Sequence, residues 1–317
     1  MKTTFVLILI FSTTFVNALF ADWQIKDAPL KLAGGEGEVF MRPVWSPDGQ
    51  WLAFTKSGFA GILVLNMASG KMKTLTDTPG SGFGFRWSHG GAAIVTRTAH
   101  YDGRIPYNEV LIFDVAGGGS KVVSDEKTRF RGLPRWSADD QQVYILAKKK
   151  LKLFDSQLNR PENSAGLKNN IHAYLKNGKI VIDQANSAIR KSYQPVAEKR
   201  VINLVLSPDQ NKIAFEVVGG NMFVMNIDGS GLVDLGKGFR PQWSPGGQHL
   251  TYMITEDDGH VFTASDIYTI SIDGAGKTNL TNTPDVIEMD PSWSPNQQIA
   301  YDVYGDGSIY IVDIIQK

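Results

Sequence analysis

Short apolar runs separated by turn-forming residues govern the chain from residue 43 onward, and their spacing is that of strands, with no helical period. The pattern is clearest at residues 43–54: an apolar residue enters, Trp45 anchors, Ser46-Pro47-Asp48-Gly49 reverses the chain, and Leu52-Ala53-Phe54 leaves. Pro at the first central position and Asp-Gly at the end supply the fixed φ and the tolerance of positive φ that a β-hairpin needs. The unit returns with Trp87-Ser88, Trp136-Ser137, Leu206-Ser207-Pro208-Asp209, Trp243-Ser244-Pro245 and Trp293-Ser294-Pro295, each leading into an apolar exit run. The turn serines stand at 46, 88, 137, 207, 244 and 294, so the steps are 42, 49, 70, 37 and 50 residues. The step of 70 is too long for one unit. Residues 174–182 inside it carry a turn at Asn177-Gly178 and an exit run, which splits it into 38 and 32 and makes seven units.

A second pattern follows each hairpin. Residues 61–66 precede 71–76, 221–229 precede 232–235, and 266–274 precede 277–281, each a strand, a turn that usually contains Gly, and another strand. Four strands per unit at this period predict an all-β, seven-bladed β-propeller of four-stranded antiparallel blades, with six blades as the alternative. The last unit ends at Lys317 after a third strand at 308–313, while residues 29–35 precede the first hairpin without partners of their own. The N-terminal strand is therefore expected to complete the last blade and so remove the open edges.

Composition narrows the class. The 317 residues include 32 Gly and 14 Pro, are 42% hydrophobic, and balance 32 basic against 32 acidic side chains. No net field steers the chain toward nucleic acid. Residues 1–21 read as a secretory signal, one Lys before a short broken apolar core, with cleavage after Ala18 or Ala21; residues 22–317 form a single domain with no membrane span after signal removal. With no Cys, an exported chain must be stable without disulfides.

Candidate chemistry is sparse. There is no thiol nucleophile and no Gly-x-Ser-x-Gly elbow, and the repeat serines are expected to hydrogen-bond their own turns, so no catalytic residue is assigned. The two longest connections between second and third strands, residues 98–109 of unit two and 255–266 of unit six, belong to one face of the ring and carry His100, Tyr101, Asp102, Arg104, Glu109, Asp257, Asp258 and His260 as candidate ligand-binding residues. With Asp266, their imidazoles and carboxylates would suit a transition metal or calcium; a solvated loop with Asp-Gly turns is the alternative, and no cofactor is assigned. The second candidate group is Arg42, Arg86, Arg135 and Arg240, which stand three or one residues before the Trp of their units and hence on one side of equivalent strands. With Arg129 and Arg131 upstream they would present a cationic rim to a central channel and take an acidic peptide or a uronate oligosaccharide, unless each pairs with a neighbouring blade's acid such as Asp290 or Glu288.

Trp45-Ser46-Pro47-Asp48-Gly49 with Leu52-Ala53-Phe54, and Asp266-Ile267-Tyr268 with Ile272-Asp273-Gly274, resemble the repeats of TolB-like propellers, whose namesake is the periplasmic component of the Tol-Pal envelope system. The resemblance covers nearly all of the chain after the signal. It implies a periplasmic or secreted, non-catalytic propeller that binds a protein or peptide partner. The namesake has an α/β domain before a six-bladed ring, whereas here about 20 residues separate the signal from the first hairpin and seven units follow. The chain also looks similar to oligogalacturonate lyases in having seven blades of this type, which implies the alternative of a carbohydrate-active enzyme; their metal-binding histidines cannot be carried over residue by residue.

Overall fold

Apolar strands of five or six residues that alternate with Gly- and Asp-rich turns pair with their sequence neighbours, since a short turn leaves the next strand no other partner. The computed structural model describes residues 22–317 apart from 36, 125–128, 131, 148–149, 157, 159–170 and 185–189. It is a ring of seven antiparallel blades. The first, inner strands of six blades are Phe40–Trp45, Arg86–Trp87, Arg135–Trp136, Val201–Leu206, Phe239–Trp243 and Glu288–Trp293. Four strands are described in blades one, two, five and six, and three each in blades three and four. The expected signal segment lies outside the described residues.

The repeated hairpin owes its shape to the serine. In blade one the Trp51 N–H donates to Ser46 Oγ at 2.9 Å, Ser46 Oγ donates to Asp48 at 2.6 Å, and Asp48 also accepts the Gln50 N–H at 3.0 Å. Ser88, Ser137, Ser207, Ser244 and Ser294 make the same backbone bond, and all six serines are buried. The expectation that these serines are structural holds. The tryptophan reaches sideways to the preceding blade: Trp87, Trp136 and Trp243 donate through Nε1 to the carbonyls of Val44, Arg86 and Val205 at 3.0, 3.0 and 3.2 Å. Core clusters consequently lie between blades. Phe40, Trp45 and Phe54 of blade one pack with Ala300, Ile309 and Ile311 of blade seven.

Blade four differs from its sequence reading. Residues Ile171–Lys176 and Lys179–Gln184 form its second and third strands, not its first and second. The Val201 N–H donates to Gly178 O at 3.0 Å just as the Phe40 N–H donates to Gly307 O at 2.8 Å, so the Asn177-Gly178 turn is equivalent to the one between the second and third strands of blade seven. Ala173-Tyr174 matches Ala53-Phe54, Ala214-Phe215 and Ala300-Tyr301, a second-strand pattern present in the sequence but not used to set the frame. The blade count is unaffected.

Closure occurs in blade seven. Leu30–Ala33 pairs antiparallel with residues 309–311 of Ser308–Gln316, as expected, and Trp23–Ile25 continues along the same edge onto residues 314–316. This second segment was not anticipated. Trp23 is buried edge-on against Trp293, with ring centroids 5.0 Å apart, and joins the core between blades six and seven. Trp23→Ala is expected to cost about 3 kcal/mol in chemical denaturation, and removal of residues 22–33 to convert a reversible melt into aggregation from the exposed strand edge.

Candidate functional site

The inner strands wall a central channel of about 940 Å³. Because the first strand of each blade runs from the face carrying the inter-blade connections to the face carrying the Ser-Pro-Asp-Gly turns, residues four before the turn serine lie near the first face, here the loop face, and residues two before it lie deeper. Arg42, Gly84, Leu133, Asn203, Arg240 and Asp290 occupy the upper position, and Val44, Arg86, Arg135, Val205, Gln242 and Ser292 the lower one; all of them line the channel. The four predicted arginines therefore do share the channel, but in two tiers.

The upper tier is strained. Arg42, Asn203, Arg240 and Asp290 all adopt left-handed φ of 56, 49, 55 and 50°, and Gly84 takes φ 76° at the same place. Each of the four non-glycine positions sits in a bulge where the pairing register slips. Buried acids on the second strand of the preceding blade hold the bulges at Arg42 and Arg240: Asp302 accepts the Arg42 N–H at 2.9 Å, and Glu216 accepts the Arg240 N–H at 2.5 Å and, within its own blade, Asn203 Nδ2 at 3.0 Å. Burial raises the carboxyl pKa of both, Asp302 further through the neighbouring Asp290 charge. Neither acid figured in the sequence reading, although an acid directly after the buried Ala-aromatic pair (Phe215-Glu216, Tyr301-Asp302) is the signal that could have marked them.

Charge divides the channel into two sides. Asp290 lies between two arginines, pairing with Arg240 and standing 3.5 Å from Arg42 Nε, so one carboxylate of the neighbouring blade is shared by both. The Arg42 guanidinium also lies 4.7 and 5.5 Å from the rings of Phe59 and Phe83, which pack edge to face at the channel mouth. Glu288 pairs with no described arginine; it accepts from Thr283 Oγ1. On the other side Arg86 and Arg135, from adjacent blades, form no ion pair with any described residue. Arg135 donates to Leu204 O at 2.9 Å, while Arg86 Nε has no acceptor.

No protein-family model matches the chain, and no curated protein matches it in sequence. Solved structures do share its shape. TolB from Acinetobacter baumannii superposes with a TM-score of 0.51 at 16% identity over 81% of this chain, which spans 57% of that protein's length. The oligogalacturonate lyase from Vibrio parahaemolyticus gives 0.56 at 12% identity over 92% of this chain and 96% of that one. A chain of the mitotic checkpoint complex gives 0.61 at 16% identity over 99% and 98%. The fold is that of a TolB-like, seven-bladed β-propeller.

The remaining candidates sit on the propeller's loop face. The extended hairpins Ala93–Asp102 with Ile105–Asp114, and His249–Asp257 with Phe262–Ser271, rise from blades two and six, three blades apart around the ring. His100 Nε2 stands 2.8 Å from Thr98 Oγ1 and 3.4 Å from Glu109, and its ring stacks on Tyr107. Tyr101, Asp102 and Arg104 are exposed at the tip of the first hairpin. Asp257 and Asp258 accept the N–H groups of Gly259, His260 and Val261 at 2.9–3.0 Å, which holds Asp258 below the usual carboxylate range. Asp266 is engaged by Asn279, Thr281 and the Thr283 N–H, and His260 is exposed. Among the described residues no three His, Asp or Glu side chains come together as a metal-holding group. Arg129 is exposed, and Arg131 lies outside the described residues.

Two outcomes follow from these charges. Asp290→Asn, which strands Arg42 and Arg240, is expected to destabilise the propeller by about 2–3 kcal/mol in urea titration. Burial raises the Glu288 carboxyl to about 7 from 4.5. Between those values the folded chain holds a proton that the unfolded chain has lost, so Glu288 makes stability fall as pH rises through this window. Glu288→Gln should therefore match the wild type near pH 4.5 and exceed it at pH 8, by about 3 kcal/mol at most, in paired denaturation curves.

Proposed function

We propose that the chain is an exported, non-catalytic propeller that binds a protein partner in the cell envelope or outside the cell, through its loop face. The observation that carries this reading is the distribution of exposed apolar side chains. Of twelve large ones among the described residues, seven lie on that face: Val39 and Phe83 in inter-blade connections, and Tyr101, Ile105, Val218, Val261 and Tyr304 in the connections between second and third strands. The turn face has only Leu232, and the other four lie on outer blade edges. Apolar residues gathered at one rim, beside a polar channel, have the makeup of a partner-binding surface. His100 is engaged with Thr98 and Glu109, and Asp257 and Asp258 with their own turn, which supports binding over chemistry. No described helix is long and apolar enough to cross a membrane.

A photo-crosslinking residue at Tyr101 or Val261 is expected to capture a defined partner in living cells, while the same residue at Asp48 or Asp139 on the turn face captures none. Equal capture from both faces, or retention of the chain in the cytoplasm, would overturn the reading. Formation of unsaturated products from oligogalacturonides with added divalent metal would replace it by the lyase alternative.

A further inference from the structure

The channel contains an unresolved imbalance of charge on one wall. Arg86 and Arg135 are the residues immediately before the tryptophans of blades two and three, and the Trp136 Nε1 bond to Arg86 O locks these two inner strands side by side. Both guanidinium groups face the channel and are partly buried. No described carboxylate pairs with either, in contrast to the opposite wall, where Asp290 lies between Arg42 and Arg240. Burial and the neighbouring Arg135 charge bring the Arg86 guanidinium down to about 9, against a smaller opposing pull from Tyr144, so it stays charged at neutral pH with no described carboxylate paired to it. Two like charges held side by side and partly shielded from water favour an anion that joins them.

We propose that Arg86 and Arg135 form a carboxylate-binding site that takes an acidic side chain of a peptide segment entering the channel from the loop face. It rests on the protein-binding reading above for its source of ligand. Arginine is suited to the role because its planar fork grips a carboxylate through two parallel bonds. The surrounding wall decides between sources of carboxylate. Leu133, Leu146, Leu175 and Val205 line the channel together with Tyr144, whose phenol neighbours both guanidinium groups, and the aliphatic share of this lining accommodates the apolar side chains of a peptide, of which a uronate sugar has none.

The test uses a fluorescein-labelled hexapeptide of alternating Glu and Leu and its Gln-for-Glu counterpart, titrated into the full propeller at low salt by anisotropy. The Glu peptide should bind roughly tenfold more tightly than the Gln peptide, a difference of about 1.4 kcal/mol. Arg86→Met should abolish that discrimination, and Arg86→Lys, which keeps the charge but loses the fork, should leave part of it. The melting temperature supplies a readout that a purely structural arginine would not give: Arg86→Met should raise it by a few degrees, since it removes an unpaired cation.

Equal binding of the two peptides, no binding of either, or discrimination that survives Arg86→Met overturns the site. Digalacturonate displacing the Glu peptide at lower concentration than a free Glu-Leu dipeptide overturns the peptide assignment in favour of a uronate. If the Glu peptide discriminates as stated but crosslinking finds no partner on the loop face, the anion site stands and the docking reading falls. The reverse pattern removes the site and leaves the docking face.

Discussion

The tryptophan that ends the inner strand of blades two, three and six ties each of these sheets to the one before it. Its indole N–H crosses to a carbonyl on the inner strand of the preceding blade, at 3.0 Å from Trp87 and Trp136 and 3.2 Å from Trp243, while the ring fills the space between the sheets. A sheet with one apolar face needs a cover, and each blade receives it from the next. Where it forms, the bond also sets how far one inner strand slides past another, and with that the height of the channel-facing side chains these strands carry. The two tiers of the channel follow from this.

Blade seven, where the two ends of the chain meet, is joined at both rims. Along the outer edge, Trp23–Ile25 and Leu30–Ala33 pair with the final strand. Near the channel, Asp290 of the same blade bridges Arg240 of blade six and Arg42 of blade one, and Asp302 holds the bulge at Arg42. The left-handed backbone at Arg42, Arg240 and Asp290 is unfavourable for such residues. At Arg42 and Arg240 a buried carboxylate accepts the N–H that the bulge leaves without a ladder partner. Charges near blades six, seven and one are thereby committed to holding the ring together. Arg86 and Arg135 of blades two and three stand beside no described carboxylate, and the channel is electrostatically one-sided although the chain as a whole is neutral.

The loop face shows a similar division between what the fold uses and what it leaves open. Asp257, Asp258 and Asp266, which looked like ligands in sequence, fold their own hairpin or anchor the strand beside it. The apolar side chains around them have no such use. Tyr101 and Ile105 are each more than 70% exposed at the tip of the blade-two hairpin, where a shorter turn would have served the sheet equally well.

The sequence alone determined the repeat, the blade number, the structural use of the turn serines and the pairing of the segment near Leu30 with the last blade, because each of these depends on contacts within one hairpin or on a count of strands. The frame of blade four was also present in its Ala173-Tyr174 pair, but without a Trp-Ser marker the Asn177-Gly178 turn could be placed in either of two hairpins. Only the tertiary structure decided which arginines stand beside a carboxylate. Arg42, Arg86, Arg135 and Arg240 look alike along the chain; their partners come from other blades, and the left-handed bulge that lifts Arg42 and Arg240 toward Asp290 precedes a proline, where local rules favour extended backbone. A charge is free or paired according to what stands across a channel, and that distance is not written in any one repeat.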